Sequence, residues 1–142
     1  VELNGAQVVI CGRGSLVGRP LSVLLSQRGP GANATVTLCH TGTRNLASIT
    51  RKSDVLVAAM GQAEIITGDM IKPGAIVIDA GTSRVDDPSR KRGYRLSGDV
   101  AFAEAVEVAS AMTPVPGGVG PLTIAMLLQN SLKAANNAVR GA

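Results

Sequence analysis

Two glycine-rich segments contain the residues best suited to bind a ligand. The first, residues 12–18, reads GRGSLVG and lies between a predicted strand and a predicted helix. The second, residues 113–123, has three prolines and three glycines in eleven positions and leads into an apolar helical run. Glycine has no Cβ atom, so a flat ligand can approach the backbone of such a loop closely. Together the two segments indicate a dinucleotide site.

The first glycine segment has the features of a phosphate-binding turn. A strand that passes through a glycine turn into a helix directs backbone N–H groups and the positive end of the helix dipole at an anion. The spacing Gly12-x-Gly14-x-x-x-Gly18 is one residue longer than the common motif, and by itself it also fits many ordinary strand-to-helix turns. Its position between strand and helix favours cofactor binding.

The residues beyond this turn favour NADP over NAD. NAD enzymes usually place Asp or Glu about 20 residues after the glycines, where the carboxylate binds the ribose hydroxyls. No acidic residue occurs between positions 12 and 43. Arg13 and Arg44 could instead bind a 2′-phosphate, supported by the hydroxyls of Thr41 and Thr43. Arg13 is the better candidate, because Arg44 is equally well interpreted as a solvated surface charge.

The sequence offers no convincing catalytic acid, base or nucleophile. Asp79 and Asp99 fall near the ends of predicted elements, where an Asp more often accepts hydrogen bonds in a turn or cap. Ser15 could bond the backbone or a phosphate, His40 is better suited to contact a ligand or backbone than to transfer protons, and Tyr94 lacks an obvious lysine partner. We therefore predict no catalytic residue in this chain.

The two cysteines are most simply interpreted as buried, reduced thiols. Cys11 and Cys39 each end a predicted strand, and a disulfide, a metal pair or a nucleophile are the alternatives. The sequence has no CxxC spacing, and His40 is its single histidine, which argues against a metal site. No secretory signal is recognisable, so a cytoplasmic location is expected.

Composition limits the classes of partner. The 142 residues, 45% of them hydrophobic with one Phe, one Tyr and no Trp, can form one domain with an aliphatic core. The net charge of +4 is dispersed apart from residues 90–92, and there is no aromatic platform for bases, so we expect no nucleic acid partner. A small anionic ligand suits this charge better. No apolar stretch reaches the roughly 18 residues that span a bilayer, so we expect no membrane partner.

Strands and helices alternate between these segments. Strands are predicted at residues 7–11, 34–39, 54–60 and 75–79, and helices at 20–28, at 45–51 with Asn45 as the cap, from 98 onward, and after 122. Residues 85–95 are polar and turn-rich, and are expected to form a surface excursion. The alternation predicts an α/β class, Rossmann-like doubly wound parallel sheet over residues 1–142 as a single domain. Ligands of such sheets bind at the carboxyl ends of the strands, where both glycine segments fall.

Taken together, these segments resemble the bifunctional methylenetetrahydrofolate dehydrogenase/cyclohydrolase family. The matching motifs, in family order, are GRG-x-x-VG-x-P from Gly12, ATVT-x-CHT-x-T from Ala34, KPGA-x-VID-x-G from Lys72, GDV from Gly98 and TPVPGGVGP-x-T from Thr113. They run from about residue 3 to residue 136, and the last motif is highly specific. The resemblance implies a cytoplasmic, usually homodimeric enzyme that oxidises 5,10-methylenetetrahydrofolate with NADP and then hydrolyses methenyltetrahydrofolate.

The resemblance also assigns residues to the cofactor and the substrate. The phosphate loop would comprise Gly12, Arg13, Gly14 and Leu16; the adenosine end His40 and Thr41; and the nicotinamide side Ala59, Ala80, Thr82 and nearby Thr123. Gly117 and Gly118 would form a backbone floor for the tetrahydrofolate derivative. The family commonly has Ser at positions 14 and 41 and Ile at position 82, so Arg13 would carry more of the NADP preference here.

The resemblance covers only half of such an enzyme. In this family a separate amino-terminal domain supplies the catalytic lysine, the tyrosine and most of the folate pocket, and the final helix packs against it. We therefore expect this chain to bind NADP with little or no catalysis by itself, and its final helix to be exposed or paired with another copy. The alternatives are a non-enzymatic dinucleotide-binding regulatory module or another NADP dehydrogenase with the same fold.

Overall fold

A computed structural model of the chain describes residues 1–140. Its strands are β1 Gln7–Cys11, β2 Thr35–Cys39, β3 Val55–Ala58, β4 Ile76–Asp79, β5 Ser83–Asp86, β6 Tyr94–Ser97 and β7 Ala111–Met112. Its helices are α1 Gly18–Ser26, α2 Leu46–Thr50, α3 Phe102–Ala105 and α4 Val119–Arg140, with a 3₁₀ turn at Gly68–Met70.

Five of the strands form one parallel sheet in the order β2-β1-β3-β4-β7. This confirms the predicted Rossmann-like α/β fold. The chain leaves β1 for β2 on one side and returns to β3 on the other, so the strand order reverses at β1. Cys11 pairs in register with Cys39 and Ala58, and Ala58 with Asp79. The loops that follow these strands therefore leave the same edge of the sheet, where open α/β sheets bind their ligands.

The sheet is buried on both faces by aliphatic side chains. Val9, Leu56 and Val77 belong to one buried cluster, whereas Val8 and Val57 belong to the cluster on the opposite face. Continuous valine and isoleucine runs are typical of parallel strands covered on both sides. The aliphatic core expected from the composition is confirmed.

Three local predictions need correction. Residues 85–95 contain parts of two strands that we did not predict: β5 and β6 pair antiparallel, and Ser97 is the one buried residue among their eight. The helix expected from residue 98 begins only at Phe102, since Val100 forms a β-bridge with Ile66. Asn45 does not cap α2 with its side chain, because its backbone has a left-handed φ of 51°.

The final helix, α4, projects its apolar residues into solvent. Residues 120–139 are all exposed, and the side chains of Leu122, Leu128 and Leu132 are 59%, 67% and 63% accessible. This exposure agrees with the expectation that α4 is exposed or paired with another copy of the chain. Within residues 1–140, no helix is both long enough and apolar enough to cross a membrane.

Cys11 and Cys39 are buried free thiols, as predicted. Burial raises the pKa of both thiols, and with the neighbouring Cys39 it brings that of Cys11 to about 12. The thiolate is the reactive form, and a raised pKa keeps both groups protonated at neutral pH. We expect neither thiol to react with a disulfide reagent at pH 8 in the native chain, and both to react in urea. Rapid native labelling in a spectrophotometric assay would contradict the buried placement.

Candidate functional site: an elongated cleft at the carboxyl edge of the sheet

Three adjoining depressions follow the carboxyl edge of the sheet. The first, of about 540 Å³, includes Arg13 and His40, and shares Gly14 and Ala59 with the second, of about 300 Å³. The second shares residues 80–82 with the third, of about 440 Å³. The third is bounded by the second glycine-rich segment, residues 113–123, here named the proline–glycine loop. Because the depressions share walls, they form one elongated groove, here named the dinucleotide cleft.

The glycine turn at the centre of the cleft is dictated by close backbone packing. Gly12 has a φ of +117°, and a Cβ atom there would overlap the carbonyl group of Ala59. A Cβ on Gly18 would overlap the carbonyl of Gly12. By contrast, no heavy atom other than those of its chain neighbours lies within 4 Å of a Cβ placed on Gly14. Gly12 and Gly18 are thus required by the fold, whereas Gly14 opens onto the cleft.

The same turn leaves backbone donors free. Within the described chain, no intramolecular hydrogen bond is donated by the amides of residues 13–17, which precede α1. The first turn of α1 contains no acidic residue, and Val17 provides no side-chain cap. Unpaired N–H groups at the positive end of a nine-residue helix form a favourable anion site. Leu16, which lines this part of the cleft, is 91% exposed.

The adenosine end predicted for the cleft is organised around His40. The backbone N–H of His40 donates to Thr43 Oγ1 at 2.8 Å, and the Gly42 N–H donates to His40 Nδ1 at 3.0 Å. Because Nδ1 is an acceptor, the neutral ring carries its proton on Nε2, which remains available as a donor. Thr41 and Arg13 line the same wall, whereas Arg44 does not line it.

The opposite end of the cleft is built from continued strands and the proline–glycine loop. The Ala59 N–H donates to the Cys11 carbonyl and the Ala80 N–H to the Ala58 carbonyl, both at 2.8 Å, so the ladder positions both alanines. Thr82 lines this end, and Thr123, whose hydroxyl donates to the Gly120 carbonyl at 2.6 Å, lines it too.

The proline–glycine loop needs glycine for its own conformation. Gly117 has a φ of +108°, and a Cβ on Gly118 would lie 2.5 Å from the Pro114 carbonyl oxygen. Both glycines line the cleft, as expected for a backbone floor. The structure thus brings every residue assigned by the resemblance to one groove, while their individual ligand contacts stay predictions.

Sequence reasoning missed some of the residues that surround the adenosine end. Leu46, Gln62 and Ile65 line it together with Met60, the last residue of the strand predicted at 54–60. The end of β3 was a usable signal for Met60. No local sequence pattern predicts the position of Gln62, because it depends on the hydrogen bond from its backbone N–H to the distant Asp99.

Comparison with known proteins gives the same assignment as the cleft. The sequence matches the family model described as the NAD(P)-binding domain of tetrahydrofolate dehydrogenase/cyclohydrolase over residues 1–139. It is 55% identical over 139 residues to the bifunctional protein FolD of Amoebophilus asiaticus, covering 98% of this chain and 47% of the relative. FolD of Prosthecochloris aestuarii is 53% identical over 134 residues, covering 94% and 45%. The chain spans about half the length of these relatives.

Solved structures show the same relationship. The FolD methylenetetrahydrofolate dehydrogenase-cyclohydrolase of Trypanosoma brucei, complexed with NADP cofactor and inhibitor, matches with a TM-score of 0.88 and 48% identity over 99% of this chain and 46% of its own. FolD from Campylobacter jejuni matches with a TM-score of 0.84 and 43% identity, covering 96% and 45%. The resemblance inferred from the motifs is confirmed: the chain belongs to the tetrahydrofolate dehydrogenase/cyclohydrolase family and corresponds to its NAD(P)-binding domain.

Proposed function

We propose that this chain is the NADP-binding domain of an enzyme that oxidises 5,10-methylenetetrahydrofolate and hydrolyses methenyltetrahydrofolate. The observation that carries this proposal is the open glycine turn, whose free N–H groups precede α1 and whose Arg13 lines the cleft. A pyrophosphate fits such a turn because the donors and the helix dipole both favour negative charge. The NADP bound to the Trypanosoma brucei relative supports the same ligand here.

The end of β2 supports NADP rather than NAD. His40 and Thr41 occupy the position where NAD enzymes place a carboxylate for the ribose hydroxyls. Arg13 makes no ion pair with another described residue, so its guanidinium is available for a 2′-phosphate. A planar guanidinium can form two parallel hydrogen bonds to a phosphate, which favours the phosphorylated cofactor.

The role of this chain in the reaction is to bind and orient. NADP, when bound, supplies the hydride acceptor. The amides of residues 13–17 would bind its phosphates, and the wall containing Ala80 and Thr82 would hold the nicotinamide towards the Gly117–Gly118 floor and the folate methylene carbon. Correct alignment of two reactants can supply a large part of a rate enhancement. The catalytic lysine and tyrosine would come from the remainder of the enzyme, and no residue of this chain is assigned to proton transfer.

The intact enzyme is further proposed to be a cytoplasmic homodimer whose substrate is a tetrahydrofolate derivative. The exposed apolar side chains of α4 support a covered location for this helix in the intact protein. Leu122 and Leu128 would lose their solvent exposure against a second surface, which removes apolar area from water. The family resemblance implies that the amino-terminal domain is the surface that covers this helix.

Calorimetric titration with NADP and NAD tests the cofactor assignment. We expect NADP to bind about 10-fold or more tightly than NAD, the difference made by a few charge-assisted hydrogen bonds. The titrations use one buffer and one ionic strength, because salt screens phosphate contacts. Failure of a folded sample to bind NADP, or equal affinity for the two nucleotides, would contradict the proposal.

A further inference from the structure

Two buried carboxylates lie directly beneath the dinucleotide cleft. Asp79 is 1% exposed and Asp99 is fully buried, yet neither forms an ion pair with a described residue. Buried charges are costly unless hydrogen bonds compensate them. Here the compensation comes from six backbone N–H groups, four of which belong to cleft-lining residues, namely Met60, Gly61, Gln62 and Gly81.

Asp99 holds the loop that follows β3. One of its oxygens accepts from the N–H groups of Met60 and Gly61, the latter at 3.0 Å, and the other accepts from Gln62 at 2.9 Å. Met60 and Gln62 line the adenosine end of the cleft. The preceding carbonyl, that of Ala59, is the group on which the glycine turn packs. The position of this loop therefore affects the width of the cleft between its adenosine end and the central glycine turn.

Asp79 holds the opposite end in the same way. Its carboxylate accepts from Gly81 at 2.9 Å, from the Asp99 N–H at 3.0 Å and from Val100 at 2.9 Å. Its own N–H donates to Thr113 Oγ1 at 2.8 Å, at the start of the proline–glycine loop. Burial raises the pKa of Asp79 against the opposing effect of these N–H groups, and the Asp99 charge raises it further.

Each of the two carboxylates packs directly against a glycine. A Cβ on Gly81 would overlap the carboxyl group of Asp99, and a Cβ on Gly98 would overlap that of Asp79. Neither carboxylate can move towards these glycines without meeting backbone. The Asp99 N–H also donates to Asp79, so the two carboxylates belong to one hydrogen-bonded group between the two ends of the cleft.

We propose that Asp99 and Asp79 are positioning residues for the dinucleotide: their carboxylates hold the residue 60–62 loop and the Gly81 turn at the spacing that one NADP molecule requires. This inference rests on the proposed function. Both carboxylates are buried, and we assign neither a direct contact with the ligand. Each acts through backbone N–H groups that would otherwise be free to shift.

Asp99→Asn in the full chain tests this inference. An amide retains one oxygen and presents an NH₂ group to backbone donors, so at least one of the three bonds is lost and the loop shifts. We expect Kd for NADP and for the fragment 2′,5′-ADP to rise about 10-fold or more, the effect of a lost bond to a charged group. Circular dichroism confirms that the variant is folded at the titration temperature.

Asp54→Asn is the matched control. Asp54 also accepts from a backbone N–H, that of Gln7 at 2.9 Å, and forms an ion pair with Lys72, but it is half-exposed and lies at the amino edge of the sheet, away from the cleft. The Asp54→Asn substitution should lower thermal stability without changing Kd for NADP. This control separates an effect on cofactor positioning from a general loss of stability. Unchanged NADP affinity in Asp99→Asn, or equal weakening in both variants, would overturn the inference.

A second variant keeps the inference testable if Asp99→Asn does not fold. Replacing the Gln62 amide by an ester, through incorporation of the α-hydroxy analogue, removes the single N–H that donates to Asp99 Oδ1 and keeps every side chain. We expect NADP affinity to fall severalfold, and no change would contradict the positioning role. If the wild-type chain itself fails to bind NADP, the proposed function fails, whereas binding by wild type and variants alike defeats this inference alone.

Discussion

Gly12→Ala should lower the free energy of unfolding by about 3 kcal/mol or more, as expected for steric overlap combined with backbone strain in a core turn. Position 12 has a φ of +117°, which L-residues rarely adopt. The added methyl group would also overlap the Ala59 carbonyl, so β1 and the loop after β3 must separate. Urea denaturation followed by circular dichroism measures the change, with the slope compared between variants.

Gly14→Ala is the control for this substitution, two positions away in the same turn. Its Cβ meets no atom beyond its chain neighbours, so we expect unfolding free energy within about 0.5 kcal/mol of the wild type, as for a surface change. Because the position faces the cleft, any effect should appear in nucleotide affinity instead. Equal stability of the Gly12→Ala variant and the wild type would show that the glycine turn is not packed as described.

Arg13→Ala should weaken NADP binding by about 10- to 100-fold and leave NAD binding nearly unchanged, as expected for loss of a charge-assisted contact to one phosphate. Arg13 lines the cleft beside Thr41, and it has no carboxylate partner among the described residues that would compete for its guanidinium. Parallel calorimetric titrations of both nucleotides measure the selectivity directly.

Arg28→Ala provides the matched control, because it removes the same charge from an exposed position that does not line the cleft. Long-range electrostatics alone would weaken NADP binding equally in both variants and would diminish with added salt. If Arg13→Ala lowers the affinities for NADP and NAD by the same factor, Arg13 binds the pyrophosphate and does not select between the two cofactors.

The sheet was predictable where the sequence is locally unambiguous. β1 occupies Gln7–Cys11 as predicted, and β4 begins one residue later than expected, at Ile76. In a chain with one Phe and one Tyr, short valine- and isoleucine-rich runs bounded by glycine predict buried strands. The glycine turn was predictable for a related reason, since its position between strand and helix is a local property.

The hairpin and the true start of α3 were not predictable in this way. β5 and β6 are rich in polar residues, and one of their eight residues, Ser97, is buried, so their pairing leaves little hydrophobic pattern in the sequence. The GDV motif is typical of a helix start. In the structure, however, the Asp99 carboxylate accepts hydrogen bonds from backbone N–H groups 37 to 39 positions earlier in the chain. A contact of that separation has no local signature.

The sequence by itself determined the fold class and the glycine turn. It also showed that no acidic residue lies at the end of β2, and its motifs identified the family. Each is a property of neighbouring residues, because strand propensity, backbone freedom and charge act over a few positions. Only the tertiary structure decided which glycines are sterically required, that Arg44 lies outside the cleft lining, and that Asp79 and Asp99 connect its two ends. Those features depend on through-space contacts between segments that the sheet brings to one edge.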